Sequence, residues 1–533
     1  MSIVADESTH AKNLSLLPAH TTERGLALGC VFIGLAVTLM TGQSGRLGVV
    51  HADDVTHFLI AKWSWKWPSY LLNDWGRPGF TILYSPAAFF GWRICRILSA
   101  GLTAVTALTT FEIASNLRIR SSWLAVPLFY VQPLVFKLSE TTLTETPLMF
   151  YLALAILFFQ RRQWLASSAF LSVAFVTRYE AVVFLPVWFI AAWRARAPFW
   201  KLLPLFWAPL AVNAFAGSIG LTTMFARLMN PTSTGEYGHG GWLTFFARSM
   251  EAWGPAIAIL AIAGFARLLP QPGGAFLTAC AAVYFLGQTV LRALGLYDSG
   301  GYARFLVPIS PLIAVAALAG WNSLLDQVSE NRRHAAGWIA AGMILLWIAM
   351  ERQLVLYAQG HDEIAELPQV YYAKIAVRIA TLLIALLGFW VWKSPAAFGR
   401  LLMPTALAVL IGLTAFQFCR PLTSPPEVQL IEDAMGWLNA QGYAGRTILS
   451  ANVWLDLLQN RELPPDRPGV AAQLAAAPVG TLFAWEKQFA GSPYHHVSFD
   501  DLAASHAFRL LYKSRPLPFH SEPYLFVFEK IAA

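Results

Sequence analysis

Long apolar runs separated by short charged breaks dominate residues 25–419. A window of about 19 residues selects about thirteen stretches able to cross a bilayer as helices. They fall near 25–42, 92–116, 122–138, 146–160, 163–177, 181–193, 201–225, 253–269, 275–296, 304–321, 335–350, 373–392 and 400–419. After Cys419 the pattern changes. Arg420-Pro-Leu-Thr-Ser-Pro-Pro426 breaks the apolar run, and the remaining hundred or so residues have ordinary soluble character. A helix is expected over 427–440 and strands over 446–450, 481–485, 508–512 and 524–529. The predicted architecture is an α-helical polytopic membrane protein with a small C-terminal α/β domain: a cytoplasmic tail over 1–24, a transmembrane unit over 25–419 and an extracytoplasmic domain over 420–533.

Between the first two spans, residues 42–91 form a long loop whose apolar stretches, 58–67 and 80–90, are too short or too interrupted to span. Trp63, Trp65, Trp67, Lys62 and Lys66 suit helices lying along the outer interface. The first 24 residues are polar, without a basic start, and the span that follows has no small-residue cleavage site, so a retained first helix is expected.

Composition narrows the class. Charged residues make up 13% and hydrophobic ones 56%, against roughly 25% charged in an ordinary soluble domain. Runs rather than alternation exclude an outer-membrane barrel. With the N-terminus cytoplasmic, the inner loops collect Arg118, Arg120, Arg161, Arg162, Arg194, Arg196, Lys201, Arg332, Arg333, Lys393 and Arg400, the positive-inside pattern. The outer side holds Lys62, Lys66, Arg77, Lys137 and Arg178. The net charge of +8 is thus a matter of topology, not of nucleic-acid binding. The four cysteines lie in apolar runs without CxxC spacing, which implies neither a disulfide framework nor a metal cluster.

Ionisable residues at a bilayer boundary are costly to desolvate, so each charged break on the outer side is a functional candidate. The first is His51-Ala-Asp53-Asp54, where the first loop begins. The second, Lys137-Leu-Ser-Glu140-Thr-Thr-Leu-Thr-Glu145-Thr-Pro147, precedes a span. The third is Arg178-Tyr179-Glu180, and Tyr302-Ala-Arg304 opens a later span. The glycine-rich stretch around His239 lacks the GK[ST] of a nucleotide loop. Carboxylates and arginines at headgroup depth fit transfer from a lipid-linked donor: a carboxylate takes the acceptor's proton and an arginine holds the departing phosphate. Competing structural readings are a solvated acidic loop for Asp53 and Asp54, a polar loop residue for His51, a helix-start charge for Glu140 and an ion-pair clamp for Arg178 with Glu180. His495-His496, with no third ligand at fitting spacing, reads as surface.

These motifs, in this order over about residues 25–420, resemble the GT-C superfamily of integral-membrane glycosyltransferases. That superfamily includes protein O-mannosyltransferases, aminoarabinose transferases and dolichyl-phosphate-mannose-dependent mannosyltransferases. HADDVTHF occupies the place of its first-loop acidic pair. TLTETPLMF resembles its second acidic motif, with Glu145 where Asp is frequent. VTRYEAVVFLP resembles an Arg-Pro-Glu break with Tyr179 for Pro, and GYARFLVPISPL an Arg-Phe-Leu-x-Pro segment that lacks the mannosyltransferases' preceding His-Lys-Glu. The resemblance implies an inverting transfer of a mannose-like hexose or other sugar from a polyprenyl phosphate to an acceptor hydroxyl on a lipid, glycan or protein. It implies no nucleotide and, in most members, no metal or other cofactor. It places catalytic carboxylates at Asp54, Asp53 and Glu145 and phosphate contacts at Arg304 and Arg178. His51, Glu140, Glu180, Tyr302 and His239 are further substrate contacts to be weighed. Adjacency does not order Asp53 and Asp54; Asp54 is taken as the base and Asp53 as its support. The location is the cytoplasmic membrane, with the partners being membrane lipid and the lipid-linked sugar.

Two other readings share this layout. A transporter or flippase places charged sites near mid-membrane and carries internal repeats; here the charges sit at one surface and no repeat is visible. A lipid-diphosphate-oligosaccharide ligase has the same topology.

Overall fold

In the computed structural model of the chain, the described residues are 7–42, 52–222, 224–230, 238–330, 405, 412 and 424–532 apart from 488, 493, 494, 518 and 519. His51 and nearly all of the expected spans at 335–350, 373–392 and 400–419 lie outside them. Among the described residues five helices are long and apolar enough to cross a membrane, or six if one bent pair is a single span.

Helix α1 (Glu7–Gly42) contains the first span, Thr21–Gly42. The first loop folds into α2 (Ala52–Trp63), a 3-10 turn Pro68–Leu72 and α3 (Pro78–Phe89). Of its three expected interfacial tryptophans only Trp65 is exposed, at 55%; Trp63 is buried, for a reason given below. Helix α4 (Trp92–Asn116) follows as expected.

The stretch 122–138, expected to span, does not form one helix. It breaks into Ser122–Leu124, Ala125–Tyr130 and Pro133–Leu138. Pro133 forces Gln132 out of the helical region, to φ −69° and ψ 124°. Buried Gln132 then donates its amide to the Ser310 carbonyl at 3.1 Å, so the break is anchored inside the protein, where irregular backbone at membrane depth is tolerated. Residues 139–144 continue as a buried loop that ends where α5 (Glu145–Gln160) begins. Helix α6 (Trp164–Thr177) packs beside α5.

The stretch 201–225 divides into a span at Phe199–Ser218 and a separate Met224–Met229. The one at 253–269 matches a helix at Pro255–Leu268 (α8), which follows α7 (Thr244–Trp253) across a bend of 109° at Gly254, whose φ of +79° suits glycine. Helix α9 (Pro272–Ala293) is followed by a 3-10 segment, Ala303–Ile309, that runs into α10 (Ser310–Glu330).

Helices α8 and α10 touch backbone to backbone. A Cβ added at Gly264 would lie 1.7 Å from the Ala316 carbonyl oxygen, and one at Gly320 2.0 Å from that of Leu260. Small residues permit this approach, which in a membrane replaces the missing hydrophobic drive with close packing. Gly264→Ala is therefore expected to lower the melting temperature of the detergent-solubilised protein, by overpacking worth about 1–3 kcal/mol. Gly101→Ala on α4, where nothing lies within 4 Å, should leave it unchanged or slightly raised.

Residues 424–532 form α11 (Pro426–Ala440), β1 (Ile448–Ser450), α12 (Val453–Leu458), Val470–Ala476, β2 (Leu482–Glu486), Phe499–Ala504, β3 (Phe508–Lys513) and β4 (Leu525–Lys530). The sheet order is β1-β2-β4-β3, with β1 and β2 parallel and the other pairs antiparallel. Each expected strand is present to within two residues. One hydrophobic core joins α2, α3 and α4 to this region, with Phe58, Leu59 and Phe80 in the same cluster as Ile431, Trp454 and Leu463.

Candidate active site

Four chain segments, far apart in sequence, bring their charged residues together. Helix α2 contributes Asp53 in its first turn, α5 begins at Glu145, Arg178 caps the end of α6 and the 3-10 segment before α10 carries Arg304. Two acidic residues at helix starts are favoured by the backbone dipole. Arg304 NH2 lies 2.7 Å from Asp53 Oδ2, and Arg304 Nε lies 3.3 Å from Glu145 Oε1. The same Glu145 oxygen accepts from Arg178 NH1 at 2.6 Å, and Arg178 Nε donates to Glu180 Oε1 at 2.6 Å. Thr144 Oγ1 accepts from Arg178 NH1 at 3.1 Å, and Gln288 donates to Glu180 at 3.4 Å. The result is a chain of alternating charge, Asp53, Arg304, Glu145, Arg178, Glu180. Its interior is buried: Arg304 and Glu145 side chains are 3% and 1% exposed, whereas Asp53, at one end, is 23% exposed.

Aromatic rings close the arginines in. Arg304 sits 4.6 Å from the Tyr302 ring centre and Arg178 4.7 Å from that of Phe305, distances at which a guanidinium is attracted to a ring face. Tyr302 is thus at the site, through Arg304. Arg178 does pair with Glu180, yet it also spans to Glu145, so the clamp and the cluster are one network.

Asp54 faces elsewhere. It is wholly buried, and its Oδ1 accepts from the Thr142 backbone N–H at 2.5 Å and from the Thr142 hydroxyl, which also bonds the Asp54 carbonyl at 2.6 Å. Trp92 Nε1 donates to that hydroxyl at 3.1 Å. Oδ2 is buried and makes no hydrogen bond among the described residues. Burial pushes the Asp54 carboxyl up to about 6, against the pull of Thr142, Arg96 and Trp92. Asp54 thereby ties α2 to the 139–144 loop, and successive residues of one helix turn point to different surroundings.

A folded-state value above the unfolded one means that the folded protein holds this proton longer. The stabilisation is complete below about pH 4 and is lost as pH rises through about 6. Between those limits the difference in melting temperature, wild type minus Asp54→Asn, should fall with rising pH; a flat difference would remove the protonated assignment.

Glu140 is buried, and its Oε1 accepts from the Thr41 hydroxyl at the end of α1. Arg96 Nε donates to its carbonyl at 2.5 Å. It braces the loop rather than joining the arginine chain. His239 is exposed and lies against Gly295, near Arg292, which donates to the Gly238 and Ser299 carbonyls.

Residues not singled out as site candidates also gather here. His57 follows Asp53 by one helical turn, with the Trp75 ring roughly parallel at 6.5 Å and the Phe80 ring tilted at 5.2 Å, and burial pushes it down to about 3, so the imidazole is neutral. Asp74 accepts from the Tyr179 hydroxyl at 2.6 Å and lies 3.7 Å from Arg77 NH1 and 3.5 Å from Arg227 Nε. Arg77 covers the Tyr179 ring at 4.4 Å, from a backbone at φ +60°. The i, i+4 spacing of Asp53 and His57 was the available signal for the histidine; nothing local marks Asp74 and Arg77, which loop packing delivers.

Comparison with known proteins identifies the architecture. No protein-family model matches the chain, and no characterised protein matches it by sequence. The crystal structure of ArnT from Cupriavidus metallidurans in the apo state superposes with a TM-score of 0.55 at 13% identity, covering 94% of this chain and 98% of ArnT. The structure of ArnT from the same organism bound to undecaprenyl phosphate gives 0.55 at 12% identity, covering 96% and 98%. The chain is an integral membrane protein built, along almost its whole length, on the fold seen in ArnT.

Proposed function

We propose that this protein is a GT-C-type glycosyltransferase of the cytoplasmic membrane that moves a sugar from a polyprenyl phosphate to an acceptor hydroxyl on the outer face. The observation that carries the reading is the Asp53, Arg304, Glu145, Arg178, Glu180 chain, assembled at the positions where the sequence motifs resemble that superfamily. The ArnT fold, one example of which binds undecaprenyl phosphate, supports it.

The base is assigned to Asp53 in preference to Asp54. Only Asp53 combines partial exposure with a place beside Arg304; Asp54 is sealed against Thr142. Asp53 takes the acceptor's hydroxyl proton while the acceptor oxygen bonds to the anomeric carbon. The anomeric carbon's bond to the phosphate oxygen breaks, and its electron pair leaves with the polyprenyl phosphate. Attack opposite the leaving group inverts the centre. Arg304 offsets the charge growing on the phosphate. Arg304 NH2 lies 2.7 Å from Asp53 Oδ2, so a donor phosphate that takes over this guanidinium releases the carboxylate from its partner to accept the hydroxyl proton.

Glu145 keeps Arg304 and Arg178 oriented, Arg178 supplies a second cation, and His57 and Tyr302 border the space for sugar or acceptor. Cationic help comes from arginines, so no metal is required. The donor sugar is a mannose-like hexose or another sugar, and the acceptor a lipid, glycan or protein.

Purified protein in lipid nanodiscs should bind undecaprenyl phosphate and, given polyprenyl-phosphate sugars with a membrane extract as acceptor source, release polyprenyl phosphate. Absence of both binding and release across a panel of such sugars would overturn the reading.

A further inference from the structure

We propose that a four-residue turn of the C-terminal region, Asn460–Leu463, is the positioning stop for α2, holding that helix at the height and rotation that set Asp53 against Arg304. Four consecutive residues of the turn each accept one hydrogen bond from the α2 side. Lys62 Nζ donates to Asn460 Oδ1, Trp63 Nε1 to the Arg461 carbonyl at 2.8 Å, Lys66 Nζ to Glu462 Oε2 at 2.5 Å, and the Tyr70 hydroxyl to the Leu463 carbonyl at 2.9 Å. This is why Trp63 is buried rather than interfacial.

The turn is itself fixed. Asn460, two residues past the end of α12, turns the chain in the left-handed region at φ +50°. Arg461 is tied twice to Asp456, through its backbone N–H to the carbonyl at 2.9 Å and through NH1 to the carboxylate at 3.0 Å. Apolar packing completes the joint, with Trp454, Leu455 and Leu463 in one core with Val55, Phe58 and Leu59 of α2.

Helix α2 is thereby held at both ends. Its first turn is tied to Thr142 through Asp54 and to Arg304 through Asp53; its last turn and the segment after it are tied to 460–463. A twelve-residue helix is short and stiff, so movement at one end is carried to the other. The lysine contacts are solvent-exposed and weak. The neutral bonds of Trp63 and Tyr70, both largely buried, fix the geometry.

The catalytic part of this inference rests on the transferase reading, and the test separates the two. Trp63→Phe with Tyr70→Phe removes both neutral donors; Tyr70→Phe keeps its ring in place, while Trp63→Phe also gives up part of the indole's packing, so Tyr70→Phe alone should shift kcat and exchange in the same direction by a smaller amount. The double variant should lower kcat about 10- to 100-fold, as expected for small misplacement of a reacting group, with donor KM within about threefold. Amide hydrogen exchange over 52–58 should quicken. Arg446→Gln breaks the Arg446–Glu529 pair on the sheet, away from α2, and controls for general loosening: kcat and exchange in α2 should not change. If the double variant matches wild type in kcat, or in exchange over 52–58, the inference fails. If wild type shows no transfer with any donor, the transferase reading fails, and hydrogen exchange alone still decides whether the turn holds α2.

Discussion

Asp53→Asn is expected to abolish release of polyprenyl phosphate, with kcat reduced by about 10²–10⁴-fold, while Asp54→Asn retains activity within about tenfold. Asparagine keeps the size of Asp53 but cannot accept a proton at neutral pH. Folding should survive, because the Asp53 side chain is 23% exposed and Arg304 keeps Glu145 as its partner. In Asp54→Asn the amide oxygen still accepts from Thr142, and what is lost is a carboxylate charge that burial already disfavours. Measuring polyprenyl-phosphate release by thin-layer chromatography and melting by intrinsic fluorescence on both variants decides the matter. An inactive Asp54→Asn that melts like wild type, beside an active Asp53→Asn, would return the base to Asp54.

The two aspartates also show where sequence reasoning reached and where it stopped. Charge at a membrane boundary marked Asp53, Asp54, Glu145, Arg178 and Arg304 from the chain alone, because such residues are rare there. Four of the five meet in one network. What separates Asp53 from Asp54 is the 100° step between neighbours on a helix, and its outcome depends on what each side meets; Thr142, 88 residues away, is not visible in HADD. The broken stretch at 122–138 was hidden for a related reason. Its composition suits a span, and only Pro133 together with the buried anchor from Gln132 to Ser310 makes it a set of short helices. Strand positions in the C-terminal region were legible because short runs rich in apolar and aromatic residues, bounded by turn residues, are a local signal. The seating of 460–463 on Trp63 and Tyr70 is tertiary and carries no sequence signature.

Removing the charge of Glu145 should have the largest effect on stability and lower activity with it. One oxygen of this 1% exposed carboxylate serves both Arg304 and Arg178. Glu145→Gln leaves two guanidinium groups side by side without their shared counter-charge, and breaking a buried pair in this way costs about 3–5 kcal/mol. Arg304→Lys keeps the positive charge yet should lower kcat by about 10²–10³-fold, because a point-like ammonium cannot reproduce the planar guanidinium that bonds Asp53 while lying 3.3 Å from Glu145. The two substitutions discriminate between roles. Glu145→Gln should lower the melting temperature and kcat together, while Arg304→Lys should spare most of the melting temperature. If Arg304 and Asp53 act as a unit, Arg304→Lys in an Asp53→Asn background should add little further loss. Fully multiplicative losses would mean that the 2.7 Å contact joins two independent functions.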